Sequence, residues 1–381
     1  MNYTNPQIQR LARRIPYLCA AYFVVFAFCY LWLFQIDLLA QVHYYYSEAQ
    51  AYHPLLAALL STFLLLVVGI FASRHLRWLP LRTSAATWFL PFLLLGLLTH
   101  WRMPQFGDIG SAPGWPAYVV LLIIYIIFLL LARTINDSSK EHESLPTYLW
   151  PNLLILVLLS LMTGWLGNTD QRLHRTLRSA TLADQGRYTE VLEIARHEHH
   201  PTRQLTALTA LSLSQTQQLG ESLFHYPQPY GSDGLLPVEA DTALFVNLPH
   251  LVGRHLGYQK TDRTPTELFL SVITNGPRRR PQQHDYELCA LLLSRDLEAF
   301  VRRVVQSDTL PASLPSHYRE ALVLRQQLDT LAQPQLADSL LTLRYQQFDS
   351  LRHLPVSESL RALRCRQQFG NTYWAYYFFK E

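Results

Sequence analysis

YLWPNLLILVLLSLMTGWLGNTDQRLHRTLRSATLAD (148–184) changes character at Gly167. Up to Leu166 it is apolar for the width of a bilayer core, which takes roughly 20 residues per helix within a range of about 17 to 25. Beyond Gly167 the apolar positions thin to Leu173, Leu177, Ala180 and Ala183, the spacing of one face of an amphipathic helix. One chain therefore carries two kinds of helix. The reading is all-α: a polytopic membrane bundle over 1–167, then a water-facing helical tail over 168–381.

Working back from the junction, five segments have the length and apolarity of membrane spans, at about 16–40, 54–72, 84–101, 115–133 and 148–166. The second and fourth are bounded by arginine or aromatic residues. The third contains Pro91 and Gly96, and a kink is expected near Pro91. Span one is longer and more aromatic than a signal-peptide core and no small-residue cleavage site follows it, so it is read as retained. Positive charge marks the cytoplasmic side. Arg10, Arg13 and Arg14 precede span one, Arg74, Arg77 and Arg82 follow span two, and Arg133 and Lys140 follow span four, whereas the alternate loops hold only Arg102. The expected topology has a cytoplasmic N terminus and, after five spans, an external tail. In a bacterium with two membranes that is an inner-membrane protein with a periplasmic domain.

Charge narrows the function classes. The chain has 32 Lys+Arg against 28 Asp+Glu, and 1–167 holds nine of the former and six of the latter, so the tail is nearly neutral. Nucleic acid is not an expected partner, because its backbone is bound by concentrated basic charge. Spans two to five have no charged residue at their centres, which disfavours an ion-coupled transporter. No cofactor motif is present. Cys289 and Cys365 fall in apolar helical patterns and are read as buried thiols rather than a disulfide.

In the tail, helices meet at Gly186, and a similar arrangement returns around Gly220, 34 residues on. That is the tetratricopeptide period, and Gly186 followed by Tyr188 resembles the turn of that repeat. Later hairpins at 286–305, 316–332 and 336–354 drift out of period, giving an irregular TPR-like α-solenoid. Such arrays present a surface for proteins or peptides. Tyr188, Tyr226, Tyr230 and Tyr318 are its candidate partner-binding residues. The aromatic end, FGNTYWAYYFFKE (369–381), is read as a cap that buries its rings against the last hairpin, with an interfacial anchor as the alternative.

FHYPQPYGSDGLLP (224–237), HYREAL (317–322) and FGNTYW (369–374) resemble signatures of an uncharacterised family of multi-pass membrane proteins in Bacteroidota. The resemblance implies a membrane half followed by a tetratricopeptide-like tail, in the inner membrane. It implies no activity and no catalytic residue.

Two clusters carry possible chemistry. On a continuous helix Glu193, His197 and His200 would share one face, and a carboxylate with two imidazoles is a zinc-type donor set. Pro201 breaks the H-E-x-x-H pattern, and histidines that complement a helix end are the simpler account. In the first external loop, Asp37 and Glu48 lie among Tyr44, Tyr45, Tyr46 and Tyr52. That layout resembles glycosyltransferases acting on polyprenyl-phosphate sugars, with a carboxylate as base; an interfacial aromatic belt is the plainer reading. The leading expectation is a membrane-anchored scaffold that binds protein partners of a cell-envelope assembly.

Overall fold

The structure is a computed structural model that describes residues 6–47, 53–100, 114–134, 145–237, 247–260, 264–306, 314–328 and 339–379. Among these every regular element is helical. The chain divides within its seventh helix into two compact units, Met1–His174 and Arg175–Glu381.

The first unit contains α1 (Pro6–Cys29), α2 (Ile36–Ser47), α3 (Pro54–His75), α4 (Phe89–Leu98), α5 (Pro116–Thr134) and α6 (Leu145–Leu166). Four helical segments among the described residues are long and apolar enough to cross a membrane: Arg14–Phe34, Pro54–His75, Leu81–Leu98 and Tyr148–Leu166. The fifth expected span, in α5, has a shorter apolar stretch, Pro116–Ala132. Leu60, Phe63, Leu64, Ile124, Ile127, Leu154 and Leu161 all point outward. Apolar faces this extensive are unfavourable in water and match lipid tails.

Two spans depart from the expected course. Span one does not run unbroken to residue 40: α1 loosens into a π-turn at Tyr30–Phe34, Gln35 leaves helical geometry (φ −118°, ψ 15°), and α2 starts afresh. Buried Gln35 explains the break, because its amide nitrogen reaches the Tyr30 hydroxyl at 3.2 Å and the Asn168 carbonyl at 3.0 Å. Span three begins earlier than expected and is half 3₁₀-helix, Leu81–Trp88, before α4 takes over. Pro91 sits in the first turn of α4 and has no N–H for the Thr87 carbonyl, so the α-helix cannot extend backwards. The break thus precedes Pro91.

This irregular span is the interior one: 61 % of its residues are buried, against 22–28 % in the other three. Asn152 of α6 serves its 3₁₀ half. The Asn152 side chain accepts from Ala85 N at 2.6 Å and donates to the carbonyls of Leu81 (2.9 Å) and Tyr148 (2.7 Å). Irregular backbone survives at membrane depth where protein covers it and supplies its partners.

The second unit is built from α7 (Gln171–Asp184), α8 (Tyr188–Arg196), α9 (Arg203–Gln215), α10 (Leu219–Ser222), α11 (Asn247–Leu256), α12 (Thr266–Thr274), α13 (Pro281–Leu293), α14 (Leu297–Val305), α15 (Ser316–Leu328), α16 (Ser339–Arg352), α17 (Glu358–Phe369) and α18 (Tyr373–Phe378). At its centre lies α9, buried at every position from Gln204 to Leu213. Its polar members satisfy themselves: Thr206, Thr209 and Ser212 donate to the carbonyls four residues back at 3.0, 2.7 and 2.7 Å.

One turn recurs three times. A residue with positive φ ends the first helix of a pair, and the next N–H bonds the carbonyl five residues back, as in a Schellman motif. The bonds are Arg187 N to Leu182 O (2.9 Å), Gln218 N to Leu213 O (2.7 Å) and Asp296 N to Leu291 O (3.0 Å). The positive-φ residues are Gly186 (75°), Gln217 (58°) and Arg295 (63°). The second turn therefore lies 31 residues after the first, not 34, which corrects the period. Gly220 is not a turn residue: a Cβ there would fall 2.8–2.9 Å from Pro315 and Tyr318, so it is the close-approach point of α10 on α15.

The three stretches that carried the resemblance meet in one cluster. Phe224 packs on His317 (5.0 Å between ring centroids) and Tyr373 (5.2 Å). The side chain of buried Glu320 accepts from Tyr373 N at 2.8 Å and lies 3.0 Å from His317 Nδ1, and its carbonyl accepts from Trp374 Nε1 at 2.8 Å. Tyr373 and Trp374 have no solvent exposure. The aromatic end is a buried cap on α15 and α16. Cys289 and Cys365 are buried free thiols.

Candidate functional site

The tail carries an open groove of about 710 Å³, walled by the α7–α8 turn, α9, α11 and the start of α13. Its chemistry lies in Asp184, Tyr188, Arg254, His255 and Arg280, with Leu211 and Leu251 as apolar floor. Tyr188 reaches it because the Gly186 turn ends α7 and restarts the chain as α8 at that residue.

Arg280 is locked in place. It is the N-cap residue of α13, and its Nη1 donates to the carbonyls of Arg254 (2.6 Å) and His255 (2.9 Å), the last turn of α11. A cation there complements the partial negative charge of a helix C-terminus. Gly257 makes room: with φ 79° and no Cβ, it lets the guanidinium approach to about 2.9–3.3 Å from where a Cβ would stand. Gln283 ties the same corner, donating to Leu256 O at 2.7 Å and accepting from Arg280 N at 3.1 Å. Arg254 extends outward, 3.8 Å from Asp184. His255 Nε2 lies 2.7 Å from Ser214 Oγ.

Burial, and secondarily the Arg280 guanidinium, holds the His255 imidazole below its ordinary value. His284 is lowered by burial and by Arg303 and Arg279. For a histidine lowered by folding, the unfolded chain binds more protons below about pH 6.5. Stability present above that value is lost as pH falls towards and through the lowered folded values. Denaturant midpoints of the full chain should drop on acidification from pH 7.5 to 5, and His255→Gln should make that drop smaller. Identical pH profiles for the two proteins would remove His255 from the account.

The residues singled out from sequence do not form one site. Tyr188 lines the groove. Tyr318 is 1 % exposed and belongs to the core, its hydroxyl donating to Asp285 O at 3.3 Å; Tyr226 is also buried, and Tyr230 is surface-exposed on a turn elsewhere. Tyr318 packs within the core, and Tyr226 is buried beside a small cavity of the tail. The helix bearing Glu193 ends at Arg196, so His200 leaves the face expected for it, and His197 Nδ1 instead meets the Glu193 carbonyl at 2.9 Å. Among the described residues no group of His, Cys, Asp and Glu is arranged to hold a metal ion. Asp37 stands in the first turn of α2, where a carboxylate complements the helix dipole; Glu48 lies outside the described residues.

Arg254 and His255 give no local signal, because prolines interrupt 249–281, and Arg280 ends the run Arg278–Arg280, which reads in sequence as a solvated turn. In the folded chain those prolines begin helices: Pro281 is the first residue of α13, Pro265 precedes α12, and Pro249 lies in the first turn of α11. That preference was the available signal.

A profile described as a family of unknown function matches residues 11–250 and 250–380, across both units. The chain belongs to DUF6057. No curated protein and no solved structure matches it.

Proposed function

We infer that this DUF6057 protein is a membrane-anchored scaffold whose tail groove binds an extended segment of a protein partner in a cell-envelope assembly. The supporting observation is the 710 Å³ groove, open to solvent and flanked by Tyr188, Arg254 and Arg280. An aromatic side chain and arginines on rigid helices are the groups that dominate protein interfaces. The guanidinium already fixed on the end of α11 loses little freedom on binding. Two arginines against one Asp184 favour a segment bearing carboxylates.

In this reading α5 crosses the membrane with the other four apolar segments, the N terminus is cytoplasmic and the tail is periplasmic. The hairpins act as an irregular TPR-like solenoid, and the bundle serves as anchor. A C-terminal alkaline phosphatase fusion should be active and a C-terminal GFP fusion dark; the reverse would place the tail in the cytoplasm and remove the envelope partner. Affinity purification of the full chain from native membranes should recover a stoichiometric partner that Tyr188→Ala with Arg254→Glu releases. Retention of the partner by that double variant would sink the groove assignment. Base chemistry in the first loop predicts the opposite sensitivity: Asp37→Asn is expected to leave partner recovery and cellular function unchanged, and loss of function there would favour the glycosyltransferase-like alternative.

A further inference from the structure

We propose that the hairpin of α16 and α17 docks on an anionic lipid surface, with leucines entering the headgroup layer and arginines holding the phosphates beside them. Leu340, Leu343, Leu360 and Leu363 are all exposed, and three of them, Leu340, Leu343 and Leu363, by more than half. Within each helix the two leucines are three residues apart and so share a face.

The leucines point away from the protein for a local reason. Leu343 stands two residues before buried Tyr345, and Leu363 two residues before buried Cys365. Two residues turn an α-helix by about 200°, which carries each leucine to the side opposite the core. The inner faces are fixed by the aromatic end. Phe348 packs on Trp374 (6.0 Å between ring centroids) and Phe378 (5.9 Å), and Phe369 packs on Phe348 (5.6 Å).

Charge selects the occupant. An arginine directly follows three of the leucines, as Leu343-Arg344, Leu360-Arg361 and Leu363-Arg364. Residues 339–370 hold Arg344, Arg352, Arg361, Arg364 and Arg366 against Asp349 and Glu358 alone, in a tail that is nearly neutral as a whole. Arg352 is paired with Asp349 (2.7 Å), so that carboxylate does not offset the arginines beside the leucines. An apolar stripe edged by arginines suits a lipid interface: the leucines reach the acyl boundary while the long cationic side chains stay at the phosphates. The same chain carries helices long and apolar enough to cross a bilayer. Joined to them through Gly167, the tail meets lipid as an intramolecular partner, at a higher effective concentration than a free acidic protein.

The test uses the full chain in nanodiscs, whose leaflets are identical, so the result does not depend on which side of a membrane carries the tail. A bimane fluorophore is placed at Gln367→Cys, one turn beyond Leu363 on the same face, with exposed Cys29 changed to Ser. The bilayer carries nitroxide-labelled lipid as quencher. Quenching should be severalfold greater in phosphatidylglycerol than in phosphatidylcholine, and high salt should remove the difference. Arg361→Gln with Arg364→Gln should weaken docking about thirtyfold and return quenching to the phosphatidylcholine level. The same fluorophore at Leu268→Cys, an exposed position of α12, should stay unquenched in both lipids. Equal quenching in the two lipids, or none in either, would overturn the proposal, as would quenching retained by the double arginine variant or matched at position 268. Tyr188→Ala with Arg254→Glu should leave the signal intact, which separates this surface from the groove; its loss there would give the lipid contact to the groove and overturn the hairpin assignment.

Discussion

Trp374→Ala should cost the tail about 3–5 kcal/mol, the usual range for deleting a buried large aromatic side chain. Trp374 is 0 % exposed, packs on Tyr345 (5.3 Å) and Phe348 (6.0 Å), and donates to Glu320 O. Truncation opens a cavity at the meeting point of α15, α16 and α18 and removes the indole bond to the Glu320 carbonyl. At about 1.4 kcal/mol per tenfold, the loss is roughly two to three and a half orders of magnitude. Hydrogen exchange of the full chain should show that loss of protection in α15 amides. Trp374→Phe, which keeps the ring and removes the N–H, should cost less, about 1–3 kcal/mol. Had the aromatic end been an interfacial anchor, Trp374→Ala would leave α15 protection unchanged and weaken lipid contact instead; unchanged protection is thus the decisive contrary result.

Asn152→Leu should destabilise the membrane half by about 3 kcal/mol or more, although the two side chains are similar in volume. The variant strips the acceptor from Ala85 N and the side-chain donor from Leu81 O, while Tyr148 O keeps its helical bond within α6. Each buried group left unpaired costs about 1–3 kcal/mol, and a hydrocarbon surround offers no water to replace the bonds. Cys19 is a native reporter, being 2 % exposed within the packed cluster of α1, α3, α4 and α6. In detergent, Cys19 should become reactive to a maleimide at a lower temperature in Asn152→Leu than in wild type. Ser160→Ala removes a part-buried contact to Tyr22 (3.1 Å) and a bond to the Leu156 carbonyl four residues back (2.9 Å), and should behave nearly as wild type. Equal maleimide onset for Asn152→Leu and wild type would mean that the 3₁₀ half of span three holds itself without α6.

The candidate groove was partly legible. Tyr188 could be named because a glycine turn two residues before an aromatic is a local pattern. Its neighbours Arg254 and Arg280 lie 66 and 92 residues further on, and only the packing of α11 and α13 brings them to the same wall. Glu193, His197 and His200 share a face only on an unbroken helix, and this helix stops at Arg196. The Tyr318 assignment failed through tertiary structure: an aromatic on an amphipathic helix reads the same whether its face meets a partner or the core.

Apolar length and helical periodicity are properties of neighbouring residues, and they sufficed to determine an all-α chain with bilayer-length helices before Gly167 and short amphipathic hairpins after it. The cap formed by the aromatic end was also within reach, because that many rings in water is unfavourable wherever they go. Which glycine turns and which one packs was not. Gly186 and Gly220 look alike in sequence, yet one supplies a positive φ and the other yields space to Pro315 and Tyr318, and the turn equivalent to Gly186 fell on Gln217. The same holds for the broken third span, whose 3₁₀ half depends on hydrogen bonds from Asn152, some 70 residues away. Side-chain partners distant in sequence decide such features, and only the folded chain brings them into reach.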